Sequence, residues 1–239
     1  MTRYDPVRSG LLEMLGCFAL MFFGSFGTSL PEQPAKQNAF FIENAMSHMF
    51  VYMAMMWVAA KHSGSQFNPL LSLALVFAGD LPISIAVVNI VAQAAGAFLG
   101  FFTLQMAGDY SESYFNYNGV ESMIAVLIEA LVAFTITLVF LTTFSYKQAE
   151  RGVYGFAVPA IYALFTLSIG KIYYSRFNIL LLTVNSVLAL EFHANFLFVV
   201  IGAVVGTAAG AFIYITALKH DVRKDQIAPT LETENKINF

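Results

Sequence analysis

Two short apolar segments, each introduced by a polar elbow and an asparagine, constrain this chain more than any other feature. The first elbow reads KHSGSQFN and precedes the apolar run at about 69–79; the second reads GKIYYSRFN and precedes about 179–190. Both runs are too short to cross a hydrocarbon core of about 30 Å as a helix. Because irregular backbone survives at membrane depth only inside protein or along a cavity, we predict two re-entrant half-helices.

Longer apolar stretches surround these two segments. Of the 239 residues, 58% are hydrophobic and 11% charged, whereas an average soluble domain has roughly 25% charged residues. The sequence therefore predicts one all-α membrane domain over residues 1–239, with six transmembrane helices, two half-helices and a polar C-terminal tail over 218–239. The predicted spans are about 10–30, 40–60, 82–106, 121–144, 154–170 and 192–217.

The pattern of the first half returns in the second. Glu13 and Glu129 lie in the first span of their halves, and Asn68 and Asn178 each follow a phenylalanine and open a half-span. Since each half has three full spans, the second half must be inverted in the membrane. Inverted repeats whose broken helices meet at the midplane are typical of transport proteins. The predicted repeats are about 10–106 and 121–217.

The distribution of Lys and Arg predicts the orientation. Lysine and arginine are enriched on the inner side of membrane proteins, so the nine-to-three distribution places both termini inside. The predicted inner residues are Arg3, Arg8, Lys61, Lys147, Arg151, Lys219, Arg223, Lys224 and Lys236. The predicted outer residues are Lys36, Lys171 and Arg176.

The first elbow contains a strong helix-start signal. Asparagine is among the best N-cap residues, and proline is favoured at the position that follows. Asn68-Pro69 therefore predicts a helix that begins inside the membrane. Two such helix starts that face each other would repel cations and donate hydrogen bonds to neutral polar molecules.

Several segments together resemble the aquaporin (major intrinsic protein) family over nearly the full chain. The resemblance rests on GLLEMLGCFALMFFGSFG, HSGSQFNPLLSLAL, IVAQAAGAFLG, IEALVAFTITLVF and IGAVVGTAAGAFIY. It implies six spans with two half-helices, often assembled as tetramers. It also implies that Gly202, Gly206 and Gly210 allow close helix packing through their small-xxx-small spacing.

The family resemblance extends to the residues expected to line a pore. The first family signature is kept except that leucine replaces alanine, while the second keeps only its asparagine. The implied pore positions are Asn68, Pro69, Leu70, Asn178, Ile179 and Leu180. Glu13 and Glu129 are interpreted as supports that hydrogen-bond the elbow backbones, with a proton relay as the alternative.

The resemblance also implies a selectivity filter in the outer half of the membrane. The implied filter positions are His48, Gly170, Ser175 and Leu181, with Thr166 as the alternative to Gly170. Leu181 stands where the family has an arginine, so the outer mouth is expected to be more apolar. Arg176 is interpreted as an interfacial side chain, with replacement of the missing arginine as the alternative.

No pattern in the chain suggests catalysis. The four histidines and one cysteine make no metal-ligand spacing, and we predict no enzyme activity, metal or cofactor. Two functions remain. The first, favoured by the altered second signature, is an accessory subunit of a larger membrane assembly with a narrowed or closed pore, such as in an organelle inner membrane. The alternative is a passive channel for water or small neutral solutes such as glycerol. The expected partners are the bilayer and a homo- or hetero-oligomer.

Overall fold

The computed structural model describes most of the chain as α-helix. The described residues are 5–25, 34–108, 120–145, 153–170, 172–173, 175–188 and 195–219. Their helices are α1 (Pro6–Phe22), α2 (Pro34–Ala59), α3 (Pro69–Phe77), α4 (Ile83–Ala107), α5 (Ser122–Ser145), α6 (Val153–Ile169), α7 (Ile179–Leu188) and α8 (Phe196–Ile213). A π-helical turn, Tyr214–Leu218, extends α8. Residues 220–239 of the predicted polar tail lie outside the described part of the chain.

The helices form two halves of the same plan. In each half the third helix is short: α3 in the first half and α7 in the second. Helix α1 packs on α4 as α5 packs on α8, and α2 packs against α6 across the halves. The two short helices touch each other, and each also packs on the last helix of the opposite half. The predicted all-α architecture with two half-helices is confirmed.

Polarity is distributed as expected for a protein surrounded by lipid. Large apolar side chains such as Phe102, Leu127 and Phe212 are exposed, whereas Asn89 and Gln93 are fully buried. Within the described residues, α4, α5 and the continuous segment Phe196–Leu218 are long and apolar enough to cross a membrane. Polar side chains at such depth are expensive unless they face the protein interior. The polar groups therefore gather around the short helices.

The first two long helices begin earlier than their apolar stretches predicted. Helix α1 begins at Pro6 because the Asp5 carboxylate accepts hydrogen bonds from the backbone amides of Val7 (3.0 Å) and Arg8 (3.4 Å). This is an ordinary N-cap followed by proline. Helix α2 begins at Pro34, ahead of the predicted start near residue 40. Hydropathy alone misses such polar first turns.

Glycines let the last helix of each half approach the first. A Cβ atom at Gly96 of α4 would lie 2.0 Å from the Met14 carbonyl oxygen of α1. In the second half, a Cβ atom at Gly206 of α8 would lie 2.1 Å from the Ala130 carbonyl oxygen of α5. Because backbone atoms cannot move aside, both positions require glycine. The close packing predicted for Gly206 is therefore present.

The Gly206→Val variant tests this packing. The valine side chain would be forced against the α5 backbone, and overpacking of this kind typically costs about 1–3 kcal/mol or more. We expect a lower thermal unfolding temperature in detergent. Ala209→Val is the matched control, because Ala209 is exposed on the same helix. Equal unfolding temperatures for the two variants would contradict the proposed contact.

Candidate functional site

The two short helices begin in the same way despite different sequences. Asn68 has an extended backbone, and its Oδ1 accepts a hydrogen bond from the Leu70 amide at 3.0 Å. Asn178 Oδ1 accepts a hydrogen bond from the Leu180 amide at 3.1 Å. Pro69 occupies the first helical position of α3, and Ile179 occupies it in α7. Loss of the second proline therefore leaves the asparagine cap intact.

The two helix starts meet in the protein interior. The Asn178 side-chain amide donates a hydrogen bond to the Phe67 carbonyl oxygen at 2.9 Å, which joins the second elbow to the first. The Asn68 side-chain amide donates to the Tyr162 hydroxyl at 3.4 Å. Both asparagines are buried. The structure thus brings together the two residues that the sequence singled out 110 positions apart.

Both elbows turn through the left-handed region of backbone conformation. In the first elbow, Ser65 and Phe67 have φ angles of 49° and 46°. In the second, Arg176 and Phe177 have φ angles of 61° and 50°. Side chains other than glycine adopt this region at a cost of roughly 1–2 kcal/mol each. Such conformations persist where the surrounding contacts fix the backbone.

Glu13 fixes the first elbow. Its Oε1 accepts hydrogen bonds from the Ser63 hydroxyl (2.5 Å) and the Gln66 amide (2.9 Å). Its Oε2 accepts from the Phe67 amide (2.7 Å) and the Gln93 side-chain amide (2.8 Å). A carboxylate has about four acceptor positions, so these four donors match its capacity. Glu13 thereby satisfies two backbone amides that no helix pairs.

Gln66 is a second support, which the sequence reasoning missed. Its side-chain oxygen accepts hydrogen bonds from the Ser72 hydroxyl (3.1 Å) and the Asn89 side-chain amide (2.8 Å). Its own amide donates to the Ser63 carbonyl oxygen. Asn89 in turn accepts from the Ser9 hydroxyl at 2.8 Å. The available signal was its place at the end of the polar elbow, directly before Phe67-Asn68.

Glu129 occupies the equivalent position in the second half. Its Oε2 accepts hydrogen bonds from the Tyr173 hydroxyl (2.9 Å) and the Ser175 hydroxyl (2.6 Å). Ser175 also accepts a hydrogen bond from the Phe177 amide at 3.3 Å. The sequence predicted Ser175 as a filter residue, but its hydroxyl is directed at Glu129. Ser175 corresponds in contacts to Ser63, which binds Glu13 in the first half.

Arg176 is buried, and its interpretation as an interfacial side chain was wrong. The residue is only 3% exposed, and its guanidinium donates a hydrogen bond to the Ser25 hydroxyl just beyond the end of α1. The imidazole of His48 in α2 reaches the same end of α1. That imidazole lies against Gly24, where a Cβ atom would be 3.0 Å from Nε2. Arg176 lies in the left-handed turn of the elbow, and its side chain is inside the protein.

The predicted filter position His48 lies against Gly24, the residue next to Ser25, which binds Arg176. Its Nδ1 lies 3.1 Å from the Asn44 carbonyl oxygen, one helical turn away. Its Nε2 is buried and has no hydrogen-bond partner among the described residues. A buried polar nitrogen without a partner is costly unless a water molecule or solute binds it. The arrangement leaves this nitrogen open to such a ligand.

The remaining predicted filter positions make different contacts. Leu181 is buried within the apolar core. Thr166 is buried in α6, and its hydroxyl donates to the Tyr162 carbonyl oxygen at 3.0 Å. Gly170 follows α6, and a Cβ atom there would lie 2.9 Å from the Phe41 ring. Gly170 is therefore packed against α2.

A small cavity lies beside Asn68, between the half-helices and the α5–α8 pair. Its volume, measured as the space open to the centre of a water molecule, is about 10 Å³. That is close to the minimum that holds one water. The lining includes Ile179, Thr137 and Thr207. The Thr137 hydroxyl is buried and lacks a partner among the described residues, and a water molecule in this cavity would satisfy it.

The described residues offer no set of metal ligands. No group of three His, Cys, Asp or Glu side chains in that part of the chain is placed to hold a metal ion. Cys17 is buried in the apolar core. His62 lies away from His48 and contacts the Arg8 guanidinium at 3.1 Å.

The fold and these contacts define a multi-pass α-helical membrane protein whose halves meet at two buried half-helix starts. The family model described as "Major intrinsic protein" matches residues 1–214. The chain therefore belongs to the major intrinsic protein family, and it is an integral membrane protein. No curated protein matches the chain by sequence.

A solved structure shares this fold. The X-ray structure of the aquaglyceroporin from Plasmodium falciparum matches with a TM-score of 0.73 and 18% sequence identity. The match covers 92% of this chain and 99% of that one. At this identity the likeness concerns the fold, and it confirms the aquaporin-like arrangement of six spans with two half-helices.

The Glu13→Gln variant tests the support of the first elbow. Each carboxylate oxygen of Glu13 accepts a backbone amide, so a glutamine placed in either orientation directs its NH₂ group at an N–H donor. An unsatisfied buried donor costs about 1–3 kcal/mol. We expect a lower unfolding temperature in detergent, with Glu43→Gln, at an exposed position, as the control. No difference between the two would rule out this role.

Proposed function

We propose that this protein is a passive transmembrane channel for water or for small neutral solutes such as glycerol. The observation that carries the proposal is the meeting of two half-helix starts, joined by the Asn178–Phe67 hydrogen bond. Each helix start carries roughly half a positive charge from its dipole. Two such charges repel cations and protons, while the asparagine amides donate hydrogen bonds to a neutral oxygen.

The asparagines are oriented for this task. Each uses its Oδ1 to cap its own helix, which fixes the direction of its NH₂ group. An NH₂ group has two hydrogens, and the described contacts engage one on Asn68 and one on Asn178. The second hydrogen of each is available to a passing oxygen. Fixed donors of this kind replace the hydrogen bonds that a solute loses when it leaves water.

The proposal includes an outer constriction formed by His48, Thr166 and Arg176. Helices α2 and α6 cross the membrane in opposite directions. The ring centroids of Tyr52 and Tyr162 are 5.3 Å apart, so these two residues lie at the same depth. His48 precedes Tyr52 by one turn and Thr166 follows Tyr162 by one turn. Both therefore lie about 6 Å to the same side. Because Thr166 shares this depth with His48, it is favoured over Gly170 as the filter residue contributed by α6.

The channel proposal departs from the accessory-subunit function that the sequence favoured. That preference rested on the altered second signature and on Leu181. Support for the channel comes from Asn178, which caps α7 as Asn68 caps α3, and from Arg176, which brings a guanidinium to the outer end. The accessory role stays a prediction with no contact among the described residues in its favour, and the pathway is proposed to be narrow rather than closed.

The proposal extends to orientation and assembly. Both termini are placed on the inner face, following the nine-to-three distribution of Lys and Arg. The bilayer is the principal partner, and the exposed apolar faces are compatible with a homo-oligomer within it.

Osmotic shrinkage of proteoliposomes, followed by stopped-flow light scattering, tests the function directly. We expect the purified protein to shrink vesicles faster than empty liposomes do, with a weak dependence on temperature. An ion-leak measurement on the same vesicles serves as the control for damaged bilayers. Shrinkage no faster than in empty vesicles, from protein shown to be folded, would contradict the channel function and return attention to the accessory role.

The Arg176→Leu variant tests the outer constriction. Removal of the guanidinium takes a fixed positive charge from the proposed pathway, which lowers the barrier to cations. We expect a higher cation leak in vesicles, measured with a pH- or potassium-sensitive dye. Arg8→Leu is the matched control, since Arg8 is exposed at the other end of α1. A leak equal to that of the control would remove Arg176 from the pathway.

A further inference from the structure

We propose that Tyr52 and Tyr162 form an aromatic size barrier at the centre of the pathway, so that the channel admits water and rejects molecules as large as glycerol. This inference rests on the proposed channel function and narrows its substrate class. It concerns two residues that the sequence reasoning did not single out.

The two tyrosines occupy equivalent positions in the inverted halves. Tyr52 precedes Asn68 by sixteen residues, and Tyr162 precedes Asn178 by the same sixteen. One lies on α2 and the other on α6, the two helices that pack together across the halves. Equal offsets from the two helix starts therefore bring both side chains to one level of the bundle.

At this level the two rings touch. Their centroids are 5.3 Å apart at an interplanar angle of 59°, which is ordinary aromatic contact. Tyr52 is 2% exposed and Tyr162 is 7% exposed. The pair thus forms one continuous aromatic wall where the second and sixth helices meet.

This wall stands directly against the start of the first half-helix. The Tyr162 hydroxyl accepts the hydrogen bond from the Asn68 side-chain amide at 3.4 Å. The Tyr52 hydroxyl donates to the Gln66 carbonyl oxygen at 3.1 Å, and its ring lies 5.6 Å from that of Phe67. A solute that binds the Asn68 amide must therefore pass beside these rings.

The rings cannot easily move aside. A tyrosine side chain has only two rotatable bonds, and here each hydroxyl is also held by the elbow. Closely packed interiors resist added volume, so a rigid wall discriminates by size. Water fits against Asn68 as a single hydrogen-bonded molecule, whereas glycerol must bring three carbons past the same two rings.

The test uses proteoliposomes with the wild-type protein and the variants Tyr162→Val, Tyr52→Val and Tyr162→Phe. Water permeability is measured by shrinkage in an impermeant osmolyte, and glycerol permeability by the rate of volume recovery in glycerol. For both valine variants we expect the glycerol-to-water permeability ratio to rise about tenfold. This rise corresponds to a free-energy barrier for glycerol, relative to that for water, lowered by about 1.4 kcal/mol. Tyr162→Phe keeps the ring, and we expect it to keep the wild-type ratio.

Tyr214→Val is the matched control for loss of a buried ring. Tyr214 is fully buried in the π-helical turn after α8, where its hydroxyl contacts the Ser145 hydroxyl, away from the half-helix starts. A rise in the ratio for this control equal to that for Tyr162→Val would show general loosening and would overturn the inference. An unchanged ratio in folded Tyr162→Val and Tyr52→Val would overturn it as well.

The failure of this inference can be told apart from that of the channel function. Wild-type water flux tests the function, while the ratio in the valine variants tests the tyrosine barrier. If the wild-type protein conducts no water, the channel function fails and the inference that rests on it fails too. If it conducts water but the ratio is unchanged in the valine variants, the tyrosine barrier alone is overturned. Size-exclusion profiles and thermal unfolding in detergent establish that each variant is folded.

Discussion

The elbows place peptide groups inside the membrane with no water to bind them, and the rest of the structure depends on how those groups are satisfied. In the first half the Glu13 carboxylate satisfies them, because it accepts hydrogen bonds from the Gln66 and Phe67 backbone amides. The packing of α4 on α1 is tied to the same carboxylate. The close approach of α4 at Gly96 to the Met14 carbonyl brings Gln93 within 2.8 Å of the same carboxylate. One residue therefore couples the first helix, the elbow and the last helix of the half.

In the second half, different residues hold the elbow. Glu129 binds Ser175 and Tyr173, and Gly202 of α8 packs against the Glu129 side chain, where a Cβ atom would be 2.9 Å away. The supporting serine is nearer to its asparagine than in the first half, and two consecutive left-handed residues, Arg176 and Phe177, complete the turn. The second elbow thus retains the helix start, and Arg176 within it is buried. The start of α7 keeps the same geometry although its sequence differs, because the cap is made by the hydrogen bond from the Leu180 amide to Asn178 and does not need a proline.

The central residues were predictable to different degrees for physical reasons. Asn68, Asn178, Glu13 and Glu129 stand out because polar groups in apolar stretches demand partners. The sequence did not identify Tyr52 and Tyr162 as central residues, because tyrosine occurs both in protein cores and at membrane interfaces. Arg176 was misinterpreted, since arginine near a span end usually reaches the interface. Here the arginine lies in the left-handed turn of the elbow and binds Ser25 inside the protein.

The sequence by itself determined the class of fold, because membrane thickness fixes the length of a span and backbone polarity forbids lipid-exposed coil. Two runs too short to cross, each after an asparagine, predicted re-entrant half-helices within protein. Tertiary structure alone decided which side chains meet at the centre. Contacts such as that of Asn68 with Tyr162 join residues from opposite halves, and no local pattern records them. Their geometry arises from the packing of α2 on α6, which depends on the whole bundle.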